Sequence, residues 1–207
     1  MLKIWGRNTS ANVQKVMWAV AELGLENERF DVGGAFGKNR EATYLRMNPN
    51  GLVPTMQDGD FILWESNAII RYLAGEHGVG TLAPADAKER AVADQWMDWQ
   101  TSVVAPAIFP AFLGLIRTPE NKRDPAVIAA SQTKTIDAMK ILEAQLAKTA
   151  FVAGKEFSMG DIPLGVMAYR FRQLCPQRPA MPNLERWYEA ISKRPAFKSH
   201  VGAIPLI

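Results

Sequence analysis

Pro54 stands at the head of a short apolar run, Val53 to Gln57, with the composition of a β-strand. A proline there limits where that strand can lie. It has no N–H to give to a sheet, so it is tolerated at a strand start or an edge rather than in a paired interior. If the Val53-Pro54 bond is cis, Val53 turns its own N–H and C=O outward, where an extended peptide ligand pairs with them as another strand would. The run ends at Asp58-Gly59, a hairpin signal with Asp60 widening the loop, and a second run follows from Phe61 to Trp64.

The elements around this hairpin follow from periodicity. Leu2 to Gly6 reads as a strand ending in a turn rich in Asn, Thr and Ser. In the helix that follows, Val13, Val16, Met17, Val20 and Leu23 recur at helical spacing and Gly24 supplies the stop. Arg29 to Val32 reads as a second strand, leading through Gly33, Gly34 and Gly37 to a short helix at Glu41 to Met47, and Ser66 to Glu76 reads as a further helix. The order strand, helix, strand, helix, hairpin, helix is the thioredoxin-like α/β arrangement, assigned to residues 1–77. Residues 78–86 read as a linker. From 87 to 207 every periodic segment is helical, giving an all-α bundle domain: Val92, Trp96, Trp99 and Val103 mark one helix, and Ile136, Met139, Leu142 and Leu146 another. Asp124-Pro125 is an N-cap with proline at the first helical position. Ser158-Met159-Gly160-Asp161 has the spacing of a capping box, so Asp161 is expected to be buried and structural.

Composition narrows the partners. A net charge of +3 with no clustered basic block leaves no footprint for nucleic acid. The N-terminal segment has no apolar run of signal-peptide length, and the single cysteine, Cys175, forms no intrachain disulfide. Both suit a reducing cytoplasm. The uncharged stretch Thr101 to Ile116, interrupted by Pro106 and Pro110, is shorter than a bilayer span and reads as a buried, kinked helix rather than a membrane segment. His77 and His200 have no partner pattern for a metal or a triad.

Glu65-Ser66 falls where the hairpin ends and a helix begins, so a hydroxyl and free backbone N–H groups sit together as an anion site. Peptide docking at Val53 beside an anion site suits a peptide carboxylate. With Asn48-Pro49-Asn50-Gly51-Leu52-Val53-Pro54 followed by Glu65-Ser66-Asn67-Ala68-Ile69-Ile70, the chain resembles the glutathione transferase family nearly end to end. In that family the segment matching Leu52-Val53-Pro54 carries a cis-proline whose preceding residue pairs with the cysteinyl backbone of glutathione, and the segment matching Glu65-Ser66 holds the γ-glutamyl carboxylate and amine. The resemblance implies glutathione as co-substrate, a small hydrophobic electrophile as second substrate and a homodimer.

Such chemistry needs a thiol held as thiolate, the only competent nucleophile. The first strand-to-helix turn, Arg7 to Val13, lacks the Cys-x-x-Cys of thioredoxins and offers hydroxyls and an amide instead. Ser10 matches the activating serine of the theta-like and phi-like branches. Asn12 matches an asparagine of a bacterial and fungal branch that handles disulfides. One charge-assisted hydrogen bond to a thiolate is worth roughly 1.5 to 3 kcal/mol, about one to two pKa units, and a helix N-terminus adds about 0.3 to 1 kcal/mol. Ser10 and Asn12 are both candidate thiolate donors, although capping is the commonest work of such residues. Thr9 joins the glutathione-binding set with Val53, Pro54, Glu65 and Ser66, and the loop residues Lys38 and Asn39 are assigned to the glycyl carboxylate. Arg7 reads as a solvated charge. Gln100, Val103, Val104 and Phe109 are candidates for the electrophile pocket, with Met167 and Phe112 nearby in kind. Two alternatives remain open: a glutathione-dependent disulfide reductase or peroxidase using Asn12, and a non-catalytic binding module of the same fold.

Overall fold

The computed structural model describes residues 1–207. Its first third is a four-stranded sheet in the order β2-β1-β3-β4, built from β1 (Leu2–Trp5), β2 (Asn27–Phe30), β3 (Thr55–Asp58) and β4 (Phe61–Trp64). β1 runs parallel to β2 and antiparallel to β3, with Ile4 opposite both Arg29 and Met56. The helices of this part are α1 (Ala11–Glu22), α2 (Ala42–Met47) and α3 (Ser66–His77). The rest is helical: α4 (Ala87–Trp99), α5 (Ala105–Phe112), α6 (Pro125–Leu146), α7 (Asp161–Leu174), α8 (Pro182–Ser192) and a short α9 (Pro195–Phe197). This is a thioredoxin-like domain followed by a helical domain.

Three details differ from the sequence reading. β2 begins at Asn27 rather than Arg29, because β1 opens at Leu2 and the parallel register pairs Leu2 with Asn27 and Trp5 with Phe30. The hairpin turn is tight: Asp58 pairs with Phe61, which leaves only Gly59 and Asp60 in the loop, and Gly59 takes the left-handed φ of +56° that its first position requires. The stretch Thr101 to Ile116 is helical but mostly not buried. It continues α4 through a widened turn at Gln100–Val104, α5 and a second widened turn at Leu113–Arg117. Prolines lack the N–H that a helical ladder uses, and widened turns are one way the ladder adjusts. One face of this long helix enters the core through Trp96, Met97, Val104, Ile108 and Ala111, while Val103, Phe109 and Leu113 lie exposed. The span Ala87–Arg117 is long and apolar enough by composition to cross a membrane; here it packs against α6 and α7.

α1 joins the two domains. Every residue from Val13 to Val20 is buried. Val13, Val16, Met17 and Val20 pack with Ile4, Met56 and Ile69 of the sheet domain, and Trp18 and Ala19 enter the large core of the helical domain. Trp18 lies edge-on to Phe197 with centroids 5.0 Å apart and stacks on Phe157 at 5.7 Å. Gly165 of α7 is required by this contact, since a Cβ there would come within 2.7 Å of the Trp18 ring. Glu22, at the end of α1, closes the joint with two hydrogen bonds from Arg194, at 2.7 and 2.6 Å.

Asp161 is fully buried at the start of α7. Its carboxylate accepts from the backbone N–H of Val152 (3.0 Å) and Ser158 (2.9 Å), from the Ser158 hydroxyl (3.2 Å) and from the Trp187 indole (2.8 Å). Burial pushes its pKa up to about 6 against the pull of those four bonds. It ties the 151–158 loop, α7 and α8 together, the structural role expected of the capping-box aspartate. Asp161→Ala orphans buried donors at about 1–3 kcal/mol each. The expected result is a loss of about 3 kcal/mol or more, near 10 °C in Tm; Asp161→Asn should lose less. Thermal unfolding checks both, and an unchanged Tm for the alanine variant would remove this account of α7.

Candidate active site

Three segments meet at one end of the sheet because their strands are neighbours. β1 runs out through Gly6 into the turn before α1, β3 begins opposite its end with Thr55 paired to Trp5, and β4 ends with Trp64 paired to Thr55. The residues after β1, before β3 and after β4 therefore converge. Gly6 shows how closely: a Cβ there would lie 2.4 Å from a Val13 methyl and 3.2 Å from Val53 Cβ.

The turn at α1 presents unused polar groups. Ser10 is the residue before the helix, and its carbonyl accepts from Gln14 N at 2.9 Å, but its hydroxyl caps nothing. The ordinary reason for a serine at this position is thus missing. The hydroxyl of Thr9 and the amide of Asn12 likewise have no partner in the chain, and Asn12 is exposed. As at any helix start, the first N–H groups of α1 lack intrahelical acceptors, which leaves partial positive charge there.

The segment before β3 is held rigidly while leaving one residue free. The Val53-Pro54 bond is cis. Tyr44 Oη donates to Leu52 O at 2.6 Å and lies 2.8 Å from Thr55 Oγ1. Asn48 Nδ2 donates to the same two oxygens at 2.9 and 3.2 Å. Burial pushes the Tyr44 phenol up, against the pull of its Thr55 and Asn48 contacts. Asn39 Nδ2 donates to Gly51 O at 2.7 Å, so its amide braces this loop. Gly51 must be glycine: its φ is +61°, and a Cβ would lie 2.8 Å from both the Arg40 side chain and Asn39 O. Between these clamps, Val53 N–H and C=O carry no intrachain hydrogen bond. Lys38, with φ +65°, is exposed on the adjoining loop.

At α3, Glu65 sits at φ +72°, a left-handed conformation that costs a non-glycine residue about 1–3 kcal/mol and recurs at ligand sites. Ser66 is buried, and neither its hydroxyl nor its N–H has an intrachain partner. Asn67 instead reaches across to the helical domain, donating to Met97 O (2.8 Å) and Thr101 Oγ1 (3.0 Å).

Between the α1 turn and the helical domain lies a cavity of about 220 Å³. Arg7, Thr9, Ser10, Ala11 and Asn12 form one wall; Ala105, Ile108, Phe109 and Phe112 of α5 another; Arg117, Met167, Arg170 and Leu174 complete it. Of the four residues assigned to an electrophile pocket, only Phe109 lines it. Val104 is fully buried in the core, Gln100 is 1 % exposed and bound to Lys15, and Val103 lies on the outer surface. A helix shows one stripe to a cavity, and here it is 105, 108, 109 and 112, at spacings of three and four. Arg7 is also corrected: it is partly buried against the cavity, where burial and then Arg117 lower its pKa. Arg170 escaped the sequence reading altogether. The available signal was an arginine inside the apolar run Val166 to Phe171, where a charge is either buried or turned to a cavity. It is 7 % exposed, and its pKa is lowered to about 10, chiefly by burial.

Comparisons with known proteins agree with this arrangement. The family model described as "Glutathione S-transferase, N-terminal domain" matches residues 1–75, and that described as "Glutathione S-transferase, C-terminal domain" matches residues 125–190. The chain is 43 % identical over 204 residues to glutathione S-transferase GstB of Escherichia coli, covering 97 % of this chain and 98 % of that protein. It is 33 % identical over 213 residues to glutathione S-transferase 3 of Zea mays, covering 99 % and 95 % of the two chains. Among solved structures, the theta class glutathione S-transferase of Xanthomonas axonopodis pv. citri with glutathione bound superposes with a TM-score of 0.95 at 44 % identity, covering 100 % of this chain and 99 % of that one.

Behind the site, Lys15 is buried and donates to Gln100 Oε1 at 2.7 Å. Burial lowers its pKa from 10.5 to about 7; Glu65 opposes the shift and Arg170 adds to it. Between those two values the unfolded chain binds the proton and the folded protein does not, so stability rises with pH. From pH 7 to 8.5 the unfolding free energy is expected to rise with pH, with a slope of up to about 1.4 kcal/mol per pH unit. Lys15→Met should flatten that slope, as read by denaturant titration at several pH values. An equal slope in the variant would assign it to another group.

Proposed function

The chain belongs to the glutathione S-transferase family, and on that premise we propose that it transfers the thiolate of glutathione to small electrophiles at this cavity. The observation that carries the reading is the convergence of three sets of unpaired groups at one end of the sheet: the Val53 backbone, the Ser66 hydroxyl and N–H, and the Ser10 hydroxyl. Val53 pairs with the cysteinyl backbone of glutathione. Ser66 and the free N–H groups of α3 take the γ-glutamyl carboxylate, Glu65 faces its amine, and Lys38 with the Asn39 loop takes the glycyl carboxylate. That places the sulfur at the α1 turn, beside Thr9.

There the Ser10 hydroxyl donates a hydrogen bond to the thiolate sulfur while the thiol proton passes to solvent, and the α1 N-terminus and the Arg7 guanidinium favour the anion further. A thiol of pKa about 8.5 then ionises near 7 or below. The sulfur attacks the electrophilic carbon, and the leaving group departs with its electron pair. Phe109, Ile108, Phe112 and Met167 supply an apolar wall that excludes water. A volume of about 220 Å³ favours small second substrates, since pockets for drug-sized ligands run to about 300–1,000 Å³. Domain limits of 1–77 and 87–207 with a linker at 78–86, a homodimer and a cytoplasmic enzyme complete the reading.

Asn12 supports a second reading, because its exposed, unpaired amide borders the same cavity. As main thiolate donor it would favour disulfide reduction. The thiolate absorbance of bound glutathione, titrated against pH, separates the two. Ser10→Ala is expected to raise the bound thiol pKa by about one unit and to lower kcat/KM about tenfold with affinity nearly unchanged. An unshifted pKa in Ser10→Ala with a large shift in Asn12→Ala would move the assignment to Asn12. Ser66→Ala should weaken glutathione binding about tenfold without moving the thiol pKa; unchanged affinity would show that the carboxylate binds elsewhere. If glutathione bound to the wild-type protein keeps its free pKa, the protein is a binding module instead.

A further inference from the structure

The cavity is apolar on one side and strongly positive on the other. Three arginines line it, Arg7, Arg117 and Arg170, and no aspartate or glutamate does. None of the three takes part in any of the ion pairs that engage Arg29, Arg71, Arg172, Arg178 and Arg194 elsewhere. Arg170 is the telling member. It is 7 % exposed, its Nε has no acceptor in the protein, and its other contact is a long 3.5 Å bond to Thr9 O. Its guanidinium stands 5.3 Å from the centre of the Phe112 ring, and that of Arg117 stands 5.5 Å from the same ring. Like charges around one ring repel, and a ring face compensates them only in part. Burying an unpaired guanidinium is costly unless an anion joins it.

We propose that the second substrate carries a carboxylate, held by Arg170 and Arg117 beside Phe112, with its electrophilic carbon turned toward the sulfur at Ser10. This rests on the transferase reading above and narrows its substrate class from neutral hydrophobic to small anionic electrophiles. The glutathione thiolate balances one of the three positive charges. The two arginines assigned here come from the helical domain, on α7 and at the end of the long helix, whereas Val53 and Ser66, the groups for the tripeptide, belong to the sheet domain. A planar carboxylate matches the forked donors of a guanidinium, and phenylalanine and isoleucine walls fit the short carbon skeleton attached to it.

Iodoacetate and iodoacetamide test this, since they share the reacting carbon and leaving group and differ in charge. In both, the sulfur forms a C–S bond as the C–I bond breaks and iodide leaves with the bonding pair; the carboxylate or amide is unchanged. Cys175, the only cysteine, is buried, so the enzyme itself is protected from alkylation. With glutathione saturating, kcat/KM for each probe is divided by its uncatalysed rate constant. The wild-type enhancement is expected to be at least about tenfold larger for the acid. Arg117→Gln, at an exposed position, should narrow that ratio to about threefold or less, and Arg117→Lys should restore part of it. Equal enhancement of both probes overturns the proposal, as does a ratio that Arg117→Gln leaves intact while the KM for glutathione rises, which would assign the arginines to the tripeptide. Turnover of neutral 1-chloro-2,4-dinitrobenzene alongside either result keeps the transferase reading. Absence of turnover with all three probes removes that reading and this proposal with it.

Discussion

Everything at the site depends on the burial of α1 on two sides. A surface helix needs one apolar stripe, but here the run from Val13 to Val20 has no exposed face. One side covers the sheet and the other enters the helical domain through Trp18, whose ring requires a glycine at 165. Each fully buried large apolar side chain contributes about 1.5–3 kcal/mol, so this helix alone binds the two domains strongly. The consequence for function is positional. The N-terminus of α1 is packed against both walls of the cavity, and Ser10, Thr9 and Asn12 are carried on it.

Around that helix the polar groups divide into two kinds. Tyr44, Asn48, Asn39 and Asp161 have their hydrogen bonds made inside the chain, and each fixes a loop: the first three brace the segment before β3, the last anchors α7. Ser10, Val53 and Ser66 have donors or acceptors that the chain does not use. Leaving a buried polar group unpaired is unfavourable, and of these three Ser66 is the buried one, while Ser10 and Val53 are partly exposed. The rigid set is what makes the free set possible. Arg170 belongs with the free set, and its charge makes it the most demanding member.

Lys15 and Asn67 add a second link between the domains, deep to the site. Both extend polar side chains from the thioredoxin-like domain onto the long helix, to Gln100, Met97 and Thr101. Glu65, strained in backbone and close enough to influence Lys15 electrostatically, connects this layer to the start of α3. The same long helix gives its other stripe, from Ala105 to Phe112, to the cavity. A shift of that helix would therefore be felt at both places.

The sequence by itself determined the order of elements, the proline at the head of β3, the tightness of α1's apolar packing pattern and the capping role of Asp161. These are local properties: a missing N–H, a 3.6-residue period and a three-residue capping offset are written in neighbouring residues. Tertiary structure alone decided which groups face the cavity. Val104 lies about one and a half turns and Gln100 about two and a half turns before Phe109 on the same long helix, yet the widened turn at Gln100–Val104 and the packing on α6 and α7 turn them into the core. Arg7, Arg117 and Arg170 are scattered over the chain, and no spacing rule joins them. Their meeting follows from how the long helix and α7 lean against the α1 turn, and charge repulsion at that meeting point is invisible until the chain is folded.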